Sequence, residues 1–200
     1  MAQTALKGNP VNTSGDLPAV GSDARDFTLT GTDLADIRLG DFEGKKVVLN
    51  IFPSIDTPVC ALSVRAFNAE ITKYPDTVVI CVSRDLPFAH ARFCGAEGIE
   101  NVVSASEMKD RSFGDDYGVT LADGPLEGLL ARAVVVIGEN KKVVYSKLAP
   151  EITSEPDYKS ALAVLSATAD SDLDTCVATS TAEHSRADEF DGPCDDGRAG

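Results

Sequence analysis

The stretch that decides the fold runs from KVVLNIF (Lys46–Phe52) through PVCALSVRAFNAEITKY (Pro58–Tyr74) to TVVICVS (Thr77–Ser83). The two outer segments are short β-branched runs without regular polar alternation, the pattern of strands buried on both faces. Between them, Cys60, Val64, Phe67 and Ile71 recur at i, i+4, i+7 and i+11, which places one apolar stripe along a helix. Strand, helix and strand joined by short links make a βαβ unit, and such a crossover requires its two strands to be parallel.

Working outward, a second helix is expected from Leu86 to about Glu97, followed by a short apolar strand near Val102 and Val103. Arg132–Ile137 and Lys142–Ser146 flank Gly138-Glu139-Asn140 and predict an antiparallel hairpin. A last helix is expected to open at Ser154, with Pro156 in its first turn and Tyr158, Ala161, Leu162 and Leu165 on one face. Upstream, the first 45 residues read as turns and weak strands, with Phe27–Leu29 the clearest. The order predicts a thioredoxin-like α/β sandwich with a central mixed sheet and an N-terminal β extension. The run GDFEGKK (Gly40–Lys46) imitates a phosphate loop but feeds a strand where a helix is needed, so it reads as a turn.

Composition narrows the function. The chain has 200 residues with 32 acidic and 18 basic side chains, a net charge of −14. Nucleic acids and anionic membranes are bound by clustered Lys and Arg, so neither is an expected partner. No apolar run approaches the ~20 residues that cross a bilayer, and no secretory leader is evident at the N-terminus, so a cytoplasmic location is expected. Residues 169–200 carry nine acids and two bases, half of the excess charge. With few large apolar residues, that segment is expected to be a disordered tail following a single domain at 1–168. Its Asp170-x-Asp172-x-Asp174 run lacks the glycine and the closing Glu of a calcium loop, and Cys176, His184 and Cys194 match no closed metal site. No metal and no cofactor are expected.

Five cysteines remain to be explained, at 60, 81, 94, 176 and 194, with no C-x-x-C pair. Thr57 suits the N-cap of the first helix and Pro58 its first position, which puts Cys60 at the third. First-turn N–H groups are unpaired and the macrodipole is positive there, and both favour a thiolate over a thiol. The plainer alternative is that Cys60 is only the first core residue of its stripe. Cys81, in the middle of TVVICVS, is expected to be an inert core thiol. His90 has no evident partner and is expected on a solvated helix face.

Pro53-x-x-x-Thr57-x-x-Cys60 resembles the peroxidatic motif of the peroxiredoxins. SIDTPVCALSVRAFN, SRDLPFAHARFCGAEGIENV, YGVTLADGPLEGLLARAVVVI and EITSEPDYKSALAVL follow in order and are similar to the thiol peroxidase subfamily, the atypical 2-Cys peroxiredoxins of bacteria. The resemblance covers about Gln3 to Ala167. It implies that Cys60 is the peroxidatic cysteine, that Thr57 hydrogen-bonds its thiolate, that Pro53 shields it from water, and that Arg132 stabilises it and orients the peroxide. It implies that Cys94 resolves the sulfenic acid as an intramolecular disulfide, that thioredoxin is the reductant, and that the protein is a homodimer acting on hydrogen peroxide and organic hydroperoxides. The competing reading is a peroxide sensor or redox relay that passes its oxidation to a partner protein. A disulfide needs Cα atoms within about 7 Å, so any wider gap between the helices of Cys60 and Cys94 demands local unwinding, expected at Gly95.

Overall fold

The computed structural model describes residues 1–166. The tail, with its Asp170–Asp174 run and Cys176, His184 and Cys194, lies outside the described residues.

The decisive βαβ unit forms as the sequence predicts. Strand β5 (Lys46–Ile51) leads into helix α1 (Pro58–Glu70), and strand β6 (Thr77–Ser83) returns parallel to β5, with Val47 opposite Val78 and Ile51 opposite Val82. Helix α2 (Pro87–Glu97) and strand β7 (Val103–Ser106) extend the crossover, and β7 pairs parallel with β6. On the other side, β8 (Ala133–Ile137) runs antiparallel to β5 and forms the expected hairpin with β9 (Val143–Leu148). Two N-terminal strands, β3 (Thr28–Gly31) and β4 (Asp36–Arg38), close the far edge, giving a seven-stranded mixed sheet of order β4-β3-β7-β6-β5-β8-β9. Strands β1 (Gln3–Leu6) and β2 (Asn9–Asn12) form a separate hairpin, the N-terminal β extension. A one-turn helix, α3 (Ser112–Asp116), was not evident in the sequence because it has no room for an apolar period.

Strand alternation divides the core in two. Val47, Leu49 and Ile51 face one cluster with Leu29, Phe113 and Tyr117, while Val48 and Phe52 face the other with Val64, Phe67 and Ile71 of the α1 side. Both faces of β5 are therefore fully buried, which is why its sequence shows no polar alternation.

Two expectations are corrected. The last helix, α4, spans 158–166 in the described residues and is capped by Asp157, not Ser154. The Asp157 carboxylate accepts the backbone N–H of Ser160 at 3.1 Å and its hydroxyl at 2.6 Å, so Pro156 stays outside the helix. His90 is not solvated: it is 0% exposed, with Nε2 2.9 Å from the Ser83 hydroxyl. The α2 helix turns that face onto β6 and Phe52, and a single polar residue on a short helix does not reveal this from spacing.

Beyond β6, Arg84 donates to Glu107 at 2.7 Å, to Thr120 at 3.1 Å and to the Gly128 carbonyl. Glu107, 1% exposed, also accepts the Gly114 N–H. This buried pair ties the ends of β6 and β7 to the segment that delivers Leu126 and Leu129 to the site below.

Candidate active site around Cys60

Helix α1 begins where β5 leaves the sheet. Thr57 is its N-cap with extended backbone, Pro58 opens the first turn, and Cys60 follows at the third helical position. Cys60 is 0% exposed and belongs to the apolar cluster with Val64 and Phe67, so the core-stripe reading is geometrically true. The surroundings of its sulfur add a second role. The Thr57 hydroxyl lies 2.8 Å from Cys60 Sγ, and Nη2 of Arg132 donates to the same sulfur at 3.3 Å. An N-cap hydroxyl ordinarily accepts a first-turn N–H, yet Thr57 makes no such cap bond. Its other contact is the Ser54 carbonyl at 3.0 Å.

Arg132 stands immediately before β8 and is 2% exposed. Its Nε donates to the Ile152 carbonyl at 2.7 Å, Nη2 faces Cys60, and Nη1 is buried with no protein partner among the described residues. No carboxylate of the described residues forms an ion pair with it. A guanidinium removed from water costs several kcal/mol unless an anion compensates it. Among the described residues, the one side chain in hydrogen-bond contact with this cation is that of Cys60, whose thiolate would be such an anion. The free N–H groups on Nη1 can donate to a ligand oxygen beside the sulfur.

Pro53 is buried and lines the wall of a pocket of about 350 Å³ together with Thr57, Val59, Leu126, Leu129, Arg132 and Ile152. Leu6 of the N-terminal hairpin completes its rim. The structure thus brings Pro53, Thr57, Cys60 and Arg132 to one place. The pocket is mostly aliphatic, with Ser54, Thr57, Thr153 and the Arg132 guanidinium as its polar members, and the buried Cys60 sulfur lies behind Thr57 and Arg132.

Cys94 is elsewhere. It is half-buried on α2, with Sγ 3.3 Å from the Ser104 hydroxyl of β7, whereas Cys60 faces Arg132 at the start of β8. Strands β6 and β5 lie between β7 and β8. Three strand spacings amount to ~14 Å between those two anchor points. Both thiols are free. Gly95 follows Cys94 within α2, and Gly98 at φ +61° ends that helix in the left-handed region.

Cys81 is 0% exposed on β6, its Sγ 3.6 Å from the Asn50 amide. Burial pushes its thiol up to about 12, against a smaller opposing contribution from Asn50, so it stays protonated and unreactive at neutral pH.

Sequence reasoning missed the residues that shape the site through their contacts. Asp85, two residues past β6, accepts the Ser54 hydroxyl at 2.8 Å, the Ile55 N–H at 2.7 Å and the Ser83 hydroxyl at 2.7 Å, and so fixes the turn that carries Thr57. Its Ser-x-Asp setting is a common local turn pattern, and nothing in it points to a loop some 30 positions earlier. Leu6, Leu126 and Leu129 offer no signal, since isolated leucines in loops are ordinary.

The redoxin family model matches residues 19–162. Thiol peroxidases of Mycobacterium tuberculosis and Mycobacterium bovis are each 62% identical over 167 residues, covering 84% of this chain and 100% of theirs. A crystal structure of a peroxiredoxin-like protein from Aquifex aeolicus superimposes with a TM-score of 0.79 at 38% identity, covering 84% of this chain and 97% of that one. A thiol peroxidase from Chromobacterium violaceum shares the fold, with a TM-score of 0.78 at 21% identity over 84% of this chain and 98% of that one. A thioredoxin-like sandwich, a buried cysteine held by a hydroxyl and a guanidinium, and this identity across the whole described domain place the chain in the redoxin family, among the peroxiredoxin-type thiol peroxidases.

Proposed function

We propose that the peroxidase chemistry runs through Cys60 and Cys94. The Cys60 thiolate attacks the terminal oxygen of a hydroperoxide. The S–O bond forms as the O–O bond breaks, the leaving alkoxide or hydroxide takes up a proton, and Cys60 is left as a sulfenic acid. Arg132 compensates the thiolate before attack, and its free Nη1 donors hold the peroxide oxygens in line. Thr57 donates to the sulfur and Pro53 keeps water from it. The observation that carries this reading is a buried guanidinium that pairs with no carboxylate among the described residues and whose side-chain acceptor is a first-turn cysteine.

The Cys94 thiolate then attacks the sulfenic sulfur, the S–S bond forms as the S–O bond breaks, and the departing hydroxide takes up a proton and leaves as water, giving a Cys60–Cys94 disulfide. With the two sulfurs anchored on opposite sides of β5 and β6, α2 must open near Gly95 for this step. Thioredoxin regenerates both thiols by thiol–disulfide exchange, leaving its own dithiol oxidised. The aliphatic pocket suits organic hydroperoxides as well as hydrogen peroxide. The protein works in the cytoplasm as a homodimer, and residues 169–200 are a tail outside the catalytic domain of 1–168.

The test is peroxide consumption with thioredoxin, thioredoxin reductase and NADPH, with mass spectrometry of the peroxide-treated protein. Sustained NADPH oxidation, lost in Cys60→Ser, and a Cys60–Cys94 linkage are expected. Oxidation of Cys60 without turnover would identify a sensor or relay instead.

A further inference from the structure

We propose that Glu151 is a positioning residue for substrate selection, fixing the tip of the N-terminal hairpin so that Leu6 forms one wall of the pocket beside Thr57 and Arg132. The hairpin of β1 and β2 is not part of the main sheet, so contacts to the rest of the chain must fix where it sits. Its body is tied by Ala5 N–H to the Pro150 carbonyl at 3.0 Å, Ile152 N–H to the Ala5 carbonyl at 2.8 Å, Ala122 N–H to the Asn12 carbonyl at 2.9 Å, the Thr4 hydroxyl to the Ala149 carbonyl at 2.7 Å, and Asn12 to the Asp123 carboxylate, which leaves the turn beyond Leu6 to be fixed by other contacts. At the tip, Lys7 and Gly8 both have positive φ, 51° and 80°. A two-residue turn of this kind needs φ > 0 at both positions, and Lys at the first is unfavourable unless something holds it.

Glu151 supplies the restraint. Its Oε1 accepts the Lys7 N–H at 3.1 Å and its Oε2 the Gly8 N–H at 3.0 Å, so one carboxylate clasps both central amides of the turn. Oε1 also accepts the N–H and the hydroxyl of Thr153, at 3.0 and 2.8 Å. These donors, the Gly8 N–H first, hold the carboxyl down at about 2, so the clasp is ionised throughout the neutral range. Leu6 immediately precedes the turn, while Ile152 and Thr153 immediately follow Glu151, and all three line the pocket. The carboxylate therefore ties together two walls of one cavity without touching its contents.

The inference rests on the reading that hydroperoxides enter this pocket. Hydrogen peroxide carries no apolar group to set against Leu6, whereas an aryl or alkyl substituent needs the aliphatic walls that Leu6 helps to form. Loosening the clasp should raise KM for bulky substrates and leave hydrogen peroxide largely unaffected.

The experiment measures kcat and KM of the full chain with cumene hydroperoxide and with hydrogen peroxide, for the wild type, Glu151→Gln, Leu6→Ala and the double variant. The expected result is a fall of about fivefold or more in the cumene-to-hydrogen-peroxide ratio of kcat/KM, through KM, in each single variant, with no further fall in the double. An equal loss on both substrates, an unchanged ratio in Glu151→Gln, or additive losses in the double would overturn the proposal. Amide exchange of Lys7 and Gly8 in the wild type gives an independent check: protection is expected, and exchange at the free-peptide rate would also overturn it. Activity that survives Cys60→Ser would refute the underlying pocket assignment, an outcome distinct from all of these.

Discussion

Thr57 and Cys60 stand one helical turn apart, and the N-cap hydroxyl is directed at the cysteine sulfur, 2.8 Å away, instead of capping a backbone N–H. A side chain of a type that usually stabilises a helix is thereby committed to the sulfur that the proposed mechanism makes the nucleophile. A good cap contributes about 1 kcal/mol, and the fold forgoes it here.

For this reason Thr57→Val should slow oxidation of Cys60 by about 10–100-fold, the worth of one hydrogen bond to a charged group, while Thr57→Ser retains most of the rate. Because no cap bond is lost, the thermal midpoint of Thr57→Val should stay close to the wild type. Stopped-flow peroxide kinetics and a melting curve check the two halves separately. A large stability loss with unchanged oxidation would show that Thr57 is only a cap.

Arg132→Gln removes the cation beside the sulfur and should slow peroxide attack by about 100-fold or more, the usual cost of losing one preorganised donor at a developing charge. Single-turnover measurement of sulfenate formation is the direct readout, since it excludes the reductant. Oxidation at the wild-type rate would remove Arg132 from the site.

In Cys94→Ser, the first oxidation of Cys60 should proceed at the wild-type rate, and steady-state turnover with thioredoxin should fail. The sulfenic acid would accumulate and be trappable with a dimedone-type reagent. Unimpaired steady-state turnover would contradict the resolving role.

Cys81 should resist alkylation. With its thiol held up to about 12 by burial, native protein treated with iodoacetamide at pH 8 should carry label at Cys94 and none at Cys81. Modification of Cys81 before global unfolding would contradict the buried environment of β6.

His90 predicts a pH effect with a definite sign. Burial lowers its pKa from 6.5, against smaller opposing effects of Asp85 and then Asp56, so the folded state prefers the neutral ring. Below 6.5 the unfolded chain binds the proton that the folded one resists, and stability falls as pH falls through that window. The stability advantage of wild type over His90→Gln, measured by urea denaturation, should therefore be largest at pH 7–8 and shrink below 6.5. A constant gap would show that His90 does not titrate differently on folding.

How much of this was legible beforehand depended on the range of the interactions concerned. The βαβ unit, the β8–β9 hairpin and the position of Cys60 in the first turn of α1 follow from local periodicity and capping residues, because those signals act within a few positions. The cap of α4 lies three residues beyond the one its sequence suggests, since Ser154 and Asp157 are both competent caps and Asp157 is the one whose carboxylate meets the N–H and hydroxyl of Ser160. The burial of His90 is not legible in the sequence because α2 carries little amphipathic contrast.

The sequence by itself determined the order from β5 through α1, β6, α2 and β7 to the β8–β9 hairpin and the parallel pairing of β5 and β6, and its likeness to a known family pointed to Pro53, Thr57, Cys60 and Arg132 as one group. Tertiary structure alone decided that Arg132 is buried with no carboxylate of the described residues beside it, that Asp85 fixes the Ser54–Thr57 turn, that Glu151 clasps the hairpin, and that Cys94 faces β7 while Cys60 faces β8. Each of these depends on contacts between segments tens of positions apart in the chain. Helical and strand periods encode which face is buried, but carry no information about which distant polar group that face will meet.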